Sequence, residues 1–125
     1  MRIVDSSAWI EWLLDSATGQ SLSSRMPERD QCVVPTIVQL ELAKWLGREK
    51  GEDAVDQFFA FTATCIVVPL DTTIARLAAE TATRHKIGMS DAIIHASAEL
   101  YDADILTCDA HFKGLERAVY IEKIS

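Results

Sequence analysis

Short apolar runs recur along this chain, each followed by a longer stretch with helical spacing, and no Asn-Gly hairpin signal joins any two of them. That alternation limits the possible folds more than any other feature. A tight turn can join antiparallel strands, whereas parallel strands need a crossover that a helix usually supplies. The runs are also continuously apolar rather than alternating, as strands buried on both faces require. The expected class is α/β: a central, mostly parallel sheet of four to five strands, covered by helices on both faces.

Residues 2–5 (RIVD) predict a first strand ending in an acid, and Ala8, Trp9, Trp12 and Leu13 then fall at helical spacing. A second helical stretch from about residue 19 to 26 closes at Pro27, and residues 32–34 predict the second strand before Pro35. Thr36 is placed to cap a long helix running to about Gly51. The next helix, from Glu52 to about Ala63, carries Val55, Phe58, Phe59 and Thr62 on one side, and residues 65–68 predict the third strand. Asp71 or Thr72 caps a helix to about His85, and Ser90 opens another to about Tyr101 after the break at residues 87–89. Residues 105–107 predict a fourth strand, and residues 119–121 a fifth at the sheet edge.

A length of 125 residues gives room for one domain, so residues 1–125 are expected to share a single core. With 49% hydrophobic and 25% charged residues, 5 Gly and 3 Pro, the composition excludes disordered, collagen-like and low-complexity classes. No apolar stretch approaches the roughly 20 residues of a membrane span, and Asp5 interrupts any signal-peptide core, so a cytoplasmic protein without membrane contact is expected. Cys32, Cys65 and Cys108 form no CxxC pair and no zinc clip, and read as reduced core thiols. The net charge of −7 opposes nonspecific attraction to nucleic acid, so a nucleic-acid substrate would need a bound metal or a basic partner.

Ligand sites in open α/β sheets lie beyond the carboxyl ends of the strands, and three aspartates fall there. Asp5 ends the first strand, Asp109 follows the fourth, and Asp91 sits just inside a helix N-terminus. Each also has a local explanation: Asp5 and Asp109 as caps or turn residues, Asp91 as a complement to the helix dipole. Glu41 is more unusual, because Ile37, Val38 and Trp45 around it are apolar and it interrupts a core-facing stripe. It needs either a cation or a same-helix partner such as Lys44 or Arg48. If these acids converge, their repulsion favours a divalent cation, and oxygen donors without His or Cys select Mg²⁺ or Mn²⁺. Metal-assisted phosphodiester hydrolysis by an activated water is the chemistry that suits such a cluster.

The segments VDSSAWIEWLL at 4–14, Glu41-Leu42, SDAIIHASA at 90–98 and ILTCDAHFKGL at 105–115 resemble, in order and spacing, the PIN-domain ribonucleases. The resemblance is specifically to the toxin half of VapBC-type toxin–antitoxin pairs, and it covers essentially the whole chain. It implies a three-layer α/β/α sandwich whose acids bind Mg²⁺ or Mn²⁺ and cleave RNA. By motif match Asp5, Glu41 and Asp91 take the positions of the family's three most regular metal-site acids, and Asp109 that of a fourth, more variable one. Some members place another acid two residues later, where this chain has His111. Ser6 and Thr107 fall where a hydroxyl could orient a carboxylate or a water. The resemblance also implies a cognate antitoxin whose tail wraps the toxin, and a homodimer that could place Trp9, Trp12 or Trp45 at an interface rather than in the core.

His85, His95 and His111 match no motif position for a general base, and His95 shares a polar stripe with Glu99 and Asp102 that reads as a solvated face. Arg84 and Lys86 could contact RNA phosphates, though surface solubility explains them as well. Two other readings compete. A phosphoacceptor receiver domain would want paired acids after the first strand and an aspartate ending the third, where this chain has Ser6-Ser7 and Val68-Pro69-Leu70. A PIN-like module that binds RNA or a partner without cutting it would not need the four acids to meet.

Overall fold

The computed structural model describes residues 1–124. Five strands, β1 (Arg2–Val4), β2 (Cys32–Pro35), β3 (Ile66–Val68), β4 (Asp104–Thr107) and β5 (Ala118–Tyr120), form one sheet in the order β3-β2-β1-β4-β5, with every pair parallel. Helices α1 (Ser6–Leu13) and α2 (Ala17–Leu22) follow β1, α3 (Thr36–Glu49) and α4 (Glu52–Thr62) follow β2, and α5 (Thr72–His85) and α6 (Met89–Leu100) follow β3. The first two crossovers move outward from β1 on one side and the third returns to its other side. Right-handed connections then put their helices on opposite faces of the sheet, which gives the expected three layers.

Burial follows strand position. Ile3, Val4, Val33, Val34, Ile105 and Leu106 on the three inner strands are at most 1% exposed, while the edge strands β3 and β5 are only partly covered. Continuous apolar runs were thus a sound signal of strands buried on both faces. Trp9 belongs to the core, meeting Trp12, Phe58 and Phe61 edge to face with ring centres 5.5–6.0 Å apart. Trp12 is 37% exposed and Trp45 is half-buried. Cys32 and Cys108 are buried free thiols, and burial pushes Cys32 up to about 12, whereas Cys65 is only half-buried. Among the described residues no helix is long and apolar enough to cross a membrane.

Several local expectations are corrected. The stretch expected as one helix to residue 26 ends as α2 at Leu22 and continues as a 3₁₀ turn over Ser23–Arg25. Thr36 does not cap α3: Pro35 holds the cap position, and the Thr36 hydroxyl accepts the Leu70 N–H at 3.3 Å. Gly88 rather than Ser90 stands at the cap position of α6, which frees the Ser90 hydroxyl for another partner. Phe59 is 39% exposed, because the buried stripe of α4 centres on Phe58 and Thr62 and is narrower than the expected face. Asp71 does cap α5, accepting the Ile74 N–H at 2.9 Å.

Gly19 locks α2 against α1. Ser16 caps its N–H at 3.0 Å, and a β-carbon added at Gly19 would land on the Glu11 carbonyl and crowd the Trp12 Cα. Both neighbours are backbone and cannot yield as a flexible side chain would. Gly19→Ala is therefore expected to lower stability by about 3 kcal/mol, read as a drop in the urea midpoint with an unchanged slope.

Candidate metal centre at the carboxyl ends of β1 and β4

β1 has β2 on one side and β4 on the other, so the chain reverses its direction of travel across the sheet between β1 and β4. A crevice opens outside the strand ends at such a switch point. Asp5 stands there directly after β1, 4% exposed, with its N–H still paired to the Leu106 carbonyl at 2.9 Å. Its backbone carbonyl starts α1 by accepting from Ala8 and Trp9, but its side chain makes no cap bond. The carboxylate instead receives the Ser7 hydroxyl at 2.7 Å and the Thr107 hydroxyl at 2.9 Å, both on Oδ2. Those hydroxyls in turn accept the N–H groups of Cys108 and Asp109, each at 3.0 Å. Burial raises the Asp5 pKa, against the lowering effect of these hydroxyls and the Ser6 backbone.

Glu41 enters from α3 and is half-buried. Its Oε1 accepts the Ser6 hydroxyl at 2.8 Å and its Oε2 the Ser90 hydroxyl at 3.4 Å. The same-helix alternative is not realised with Arg48, which pairs with Glu49 at 3.1 Å. Glu41 thereby ties the starts of α1 and α6 to the middle of α3, and Ser90 sets the neighbouring Asp91 in the first turn of α6.

Asp109 answers to both of its sequence readings. Its Oδ1 accepts the His111 N–H at 2.9 Å and so caps the 3₁₀ turn Ala110–Phe112, which Phe112 anchors in the core at 0% exposure. It also reaches the acidic crevice: ligand atoms of Asp91, Asp109 and His111 all lie within 4.8 Å of one another. Asp91 is pushed up to about 6, first by burial and then by the charges of Asp109, Asp5 and Glu41, with His111 opposing. Asp109, Asp5 and Glu41 therefore all lie near enough to Asp91 to act on its charge, but among the described residues the close donor group is Asp91, Asp109 and His111, and Asp5 and Glu41 stand outside it. Crowded carboxylates with this mutual repulsion and this oxygen-rich donor set fit a divalent cation.

Three contributors escaped the sequence reading. Ser7 has no role in the site expected from the sequence, Ser90 is expected only as the start of a helix, and His111 matches no motif position for a general base. The Ser6-Ser7 pair beside Asp5 carried the local signal for Ser7, since a hydroxyl two residues into the helix start can fold back on the acid before it. The reading of His95 as solvated is overturned: it is 0% exposed, 5.3 Å from the His85 ring centre, with Nε2 3.2 Å from the Glu116 carbonyl oxygen, and burial lowers its pKa. Helix α6 is covered on nearly every side, so its polar positions do not mark a free face. Arg84 reaches Glu99 at 3.5 Å. A cavity of about 490 Å³ opens beside Asp91 and His111, with His85, Lys86, Gly88 and Leu115 on its walls.

The PIN-domain family model matches residues 2–118. The chain belongs to the PIN-domain family. The fold is also similar to solved structures that cover it almost completely. A chain of a toxin–antitoxin complex from Klebsiella pneumoniae superposes with a TM-score of 0.84 at 18% identity, covering 98% of this PIN chain and 100% of that one. VapC20 of Mycobacterium tuberculosis, described as a sarcin-ricin loop cleaving toxin, gives 0.73 at 19% identity with 98% of each chain covered. A chain of the FitAcB structure from Neisseria gonorrhoeae gives 0.70 at 19% identity with 97% of each covered. At these identities the likeness is one of fold. A comparison with the curated proteins finds no sequence match.

The electrostatics make a prediction for the metal-free protein. Folded Asp91 keeps its proton to about pH 6, whereas an unfolded aspartate releases it near ~3.9. The folded state binds more protons in that window, so this group's contribution to stability falls as pH rises through it. With a chelator present, Asp91→Asn is expected to melt above wild type at pH 7, and the gain should vanish towards pH 4. Thermal melts followed by circular dichroism across this range check the sign.

Proposed function

We propose that this PIN-domain chain is a divalent-metal-dependent endoribonuclease and the toxin of a type II toxin–antitoxin pair. What supports the reading most is the group of donor atoms on Asp91, Asp109 and His111 in a PIN fold, with Asp5 and Glu41 close enough to raise the Asp91 pKa. The fold likeness to a toxin–antitoxin complex and to a toxin that cleaves the sarcin-ricin loop supports the same assignment. In this reading residues 1–125 act as one catalytic domain in the cytoplasm. The partners are RNA, a cognate antitoxin and a second copy of the chain.

The four acids hold Mg²⁺ or Mn²⁺. When bound, such a cation stabilises the charge that builds on a phosphate under attack and makes water a competent nucleophile at neutral pH. The protein's own task is placement. Ser7 and Thr107 fix the Asp5 carboxylate, and Ser6 and Ser90 fix Glu41. The cavity beside Asp91, with His85 and Lys86 on a wall that Ile87 and Leu115 also line, gives the RNA strand an approach to the acids.

Mn²⁺ is expected to raise the melting temperature through linkage, and Asp5→Asn and Asp91→Asn should each diminish the rise. Expression of wild type in a bacterial host should generate discrete new RNA 5′ ends that Asp91→Asn does not generate. With purified protein the Asn variants should lose about 100-fold or more in cleavage rate while RNA affinity changes only a few-fold. Folded wild type that yields no new ends would leave a noncatalytic RNA- or partner-binding module as the better account.

A further inference from the structure

The tightest donor group in the crevice is not all carboxylate. His111 brings a ring nitrogen within 4.8 Å of carboxylate oxygens of both Asp91 and Asp109. Its backbone is held by the N–H bond to Asp109 Oδ1 at 2.9 Å and by Phe112 buried beside it, and the ring nitrogen Nδ1 lies 2.9 Å from the same oxygen. The ring itself is 81% exposed, so no packing demand accounts for it. It also borders the cavity beside Asp91. An exposed imidazole pinned to one carboxylate of an acidic cluster and facing a second is arranged as a donor.

We infer that His111 is a nitrogen ligand of the metal centre, and that it shifts the site's preference from Mg²⁺ towards divalent transition metals, of which Mn²⁺ is the one that carboxylates also accept well. This rests on the proposed metal-dependent function and refines it. Mg²⁺ takes oxygen donors and gains little from an imidazole, whereas affinity for first-row transition ions rises when nitrogen joins the set. A carboxylate-only version of the crevice would discriminate less between the two ions. With Nδ1 held 2.9 Å from Asp109 Oδ1, Nε2 is the nitrogen left to bind the cation, and a carboxylate that orients the other ring nitrogen is a pairing that tunes metal-bound histidines.

The test uses tag-free full-length protein, so that no other histidine cluster binds the probe, and Mn²⁺ alone as that probe. Electron spin echo envelope modulation of the Mn²⁺-loaded protein should show coupling to one imidazole ¹⁴N, and His111→Asn should abolish it. By titration His111→Asn should weaken Mn²⁺ binding about tenfold, and Mg²⁺ binding, read by competition, less than about twofold. His111→Asp should restore Mn²⁺ binding without the nitrogen signal and with a smaller preference over Mg²⁺. If Mn²⁺ binds wild type and is lost in Asp91→Asn, but no nitrogen coupling appears or coupling persists in His111→Asn, the inference is overturned while the acidic metal site stands. If wild type binds no Mn²⁺, the metal-site reading fails and this inference with it. Circular dichroism of the variants, substituted at an exposed ring, should match wild type.

Discussion

Two hydroxyls converge on one oxygen of Asp5, and the arrangement of the crevice depends on that junction. A carboxylate this buried loses its hydration, and an unpaired one would cost several kcal/mol. Charge-assisted hydrogen bonds from Ser7 and Thr107 offset much of that cost. Each hydroxyl has a second duty, since Ser7 accepts the Cys108 N–H and Thr107 accepts the Asp109 N–H. The end of β1 is thus fastened to the loop after β4 by two relays running backbone to hydroxyl to carboxylate. If that loop swung away, the Cys108 and Asp109 N–H groups would lose their hydroxyl acceptors, which holds the start of the segment that carries Asp109 and His111.

The crevice as a whole works against the stability of the metal-free fold. Asp91 is held near carboxylates that repel it, and Glu41 occupies a stripe where Val38, Leu42 and Leu46 are buried. The structure supports Asp5 and Glu41 with serine and threonine hydroxyls rather than with cations: among the described residues no ion pair joins Lys or Arg to Asp5, Glu41, Asp91 or Asp109. A lysine or arginine would have neutralised the cluster permanently. Hydroxyls orient the acids yet leave their charge available to an incoming cation.

The strands and long helices were legible because their signal is local and redundant. Ile3-Val4, Val33-Val34 and Ile105-Leu106 are apolar on both faces, and Asp71 caps the helix after it as its residue type suggests. What stayed hidden was set by tertiary neighbours. Ser90 looks like a cap until Glu41 from another helix takes its hydroxyl, and Thr36 until Leu70 does. His95 has polar residues at helical spacing, and only the packing of α6 against the sheet and α5 shows that this side is closed. The four acids were expected from strand ends and motif spacing. Their differing hydroxyl supports came from neighbours on other elements, and the histidine beside Asp91 and Asp109 from the path of the loop after β4.

Strand order also governs when the crevice can exist. Asp5 and Thr107 are separated by 102 residues, yet they meet at the centre of the sheet, where β1 has β4 as one of its two neighbours. Such a long loop must close before that contact returns any energy, which makes it one of the slower events in folding. β1 and β2 can pair while β4 is still missing, but the Asp5 carboxylate then lacks Thr107 and its companions Asp91 and Asp109. A chain caught part-way through folding, or partly unravelled by a competing partner, holds the acids as separate, solvated side chains. The assembled crevice is therefore a late product of the fold, complete only when nearly all of the tertiary structure is in place.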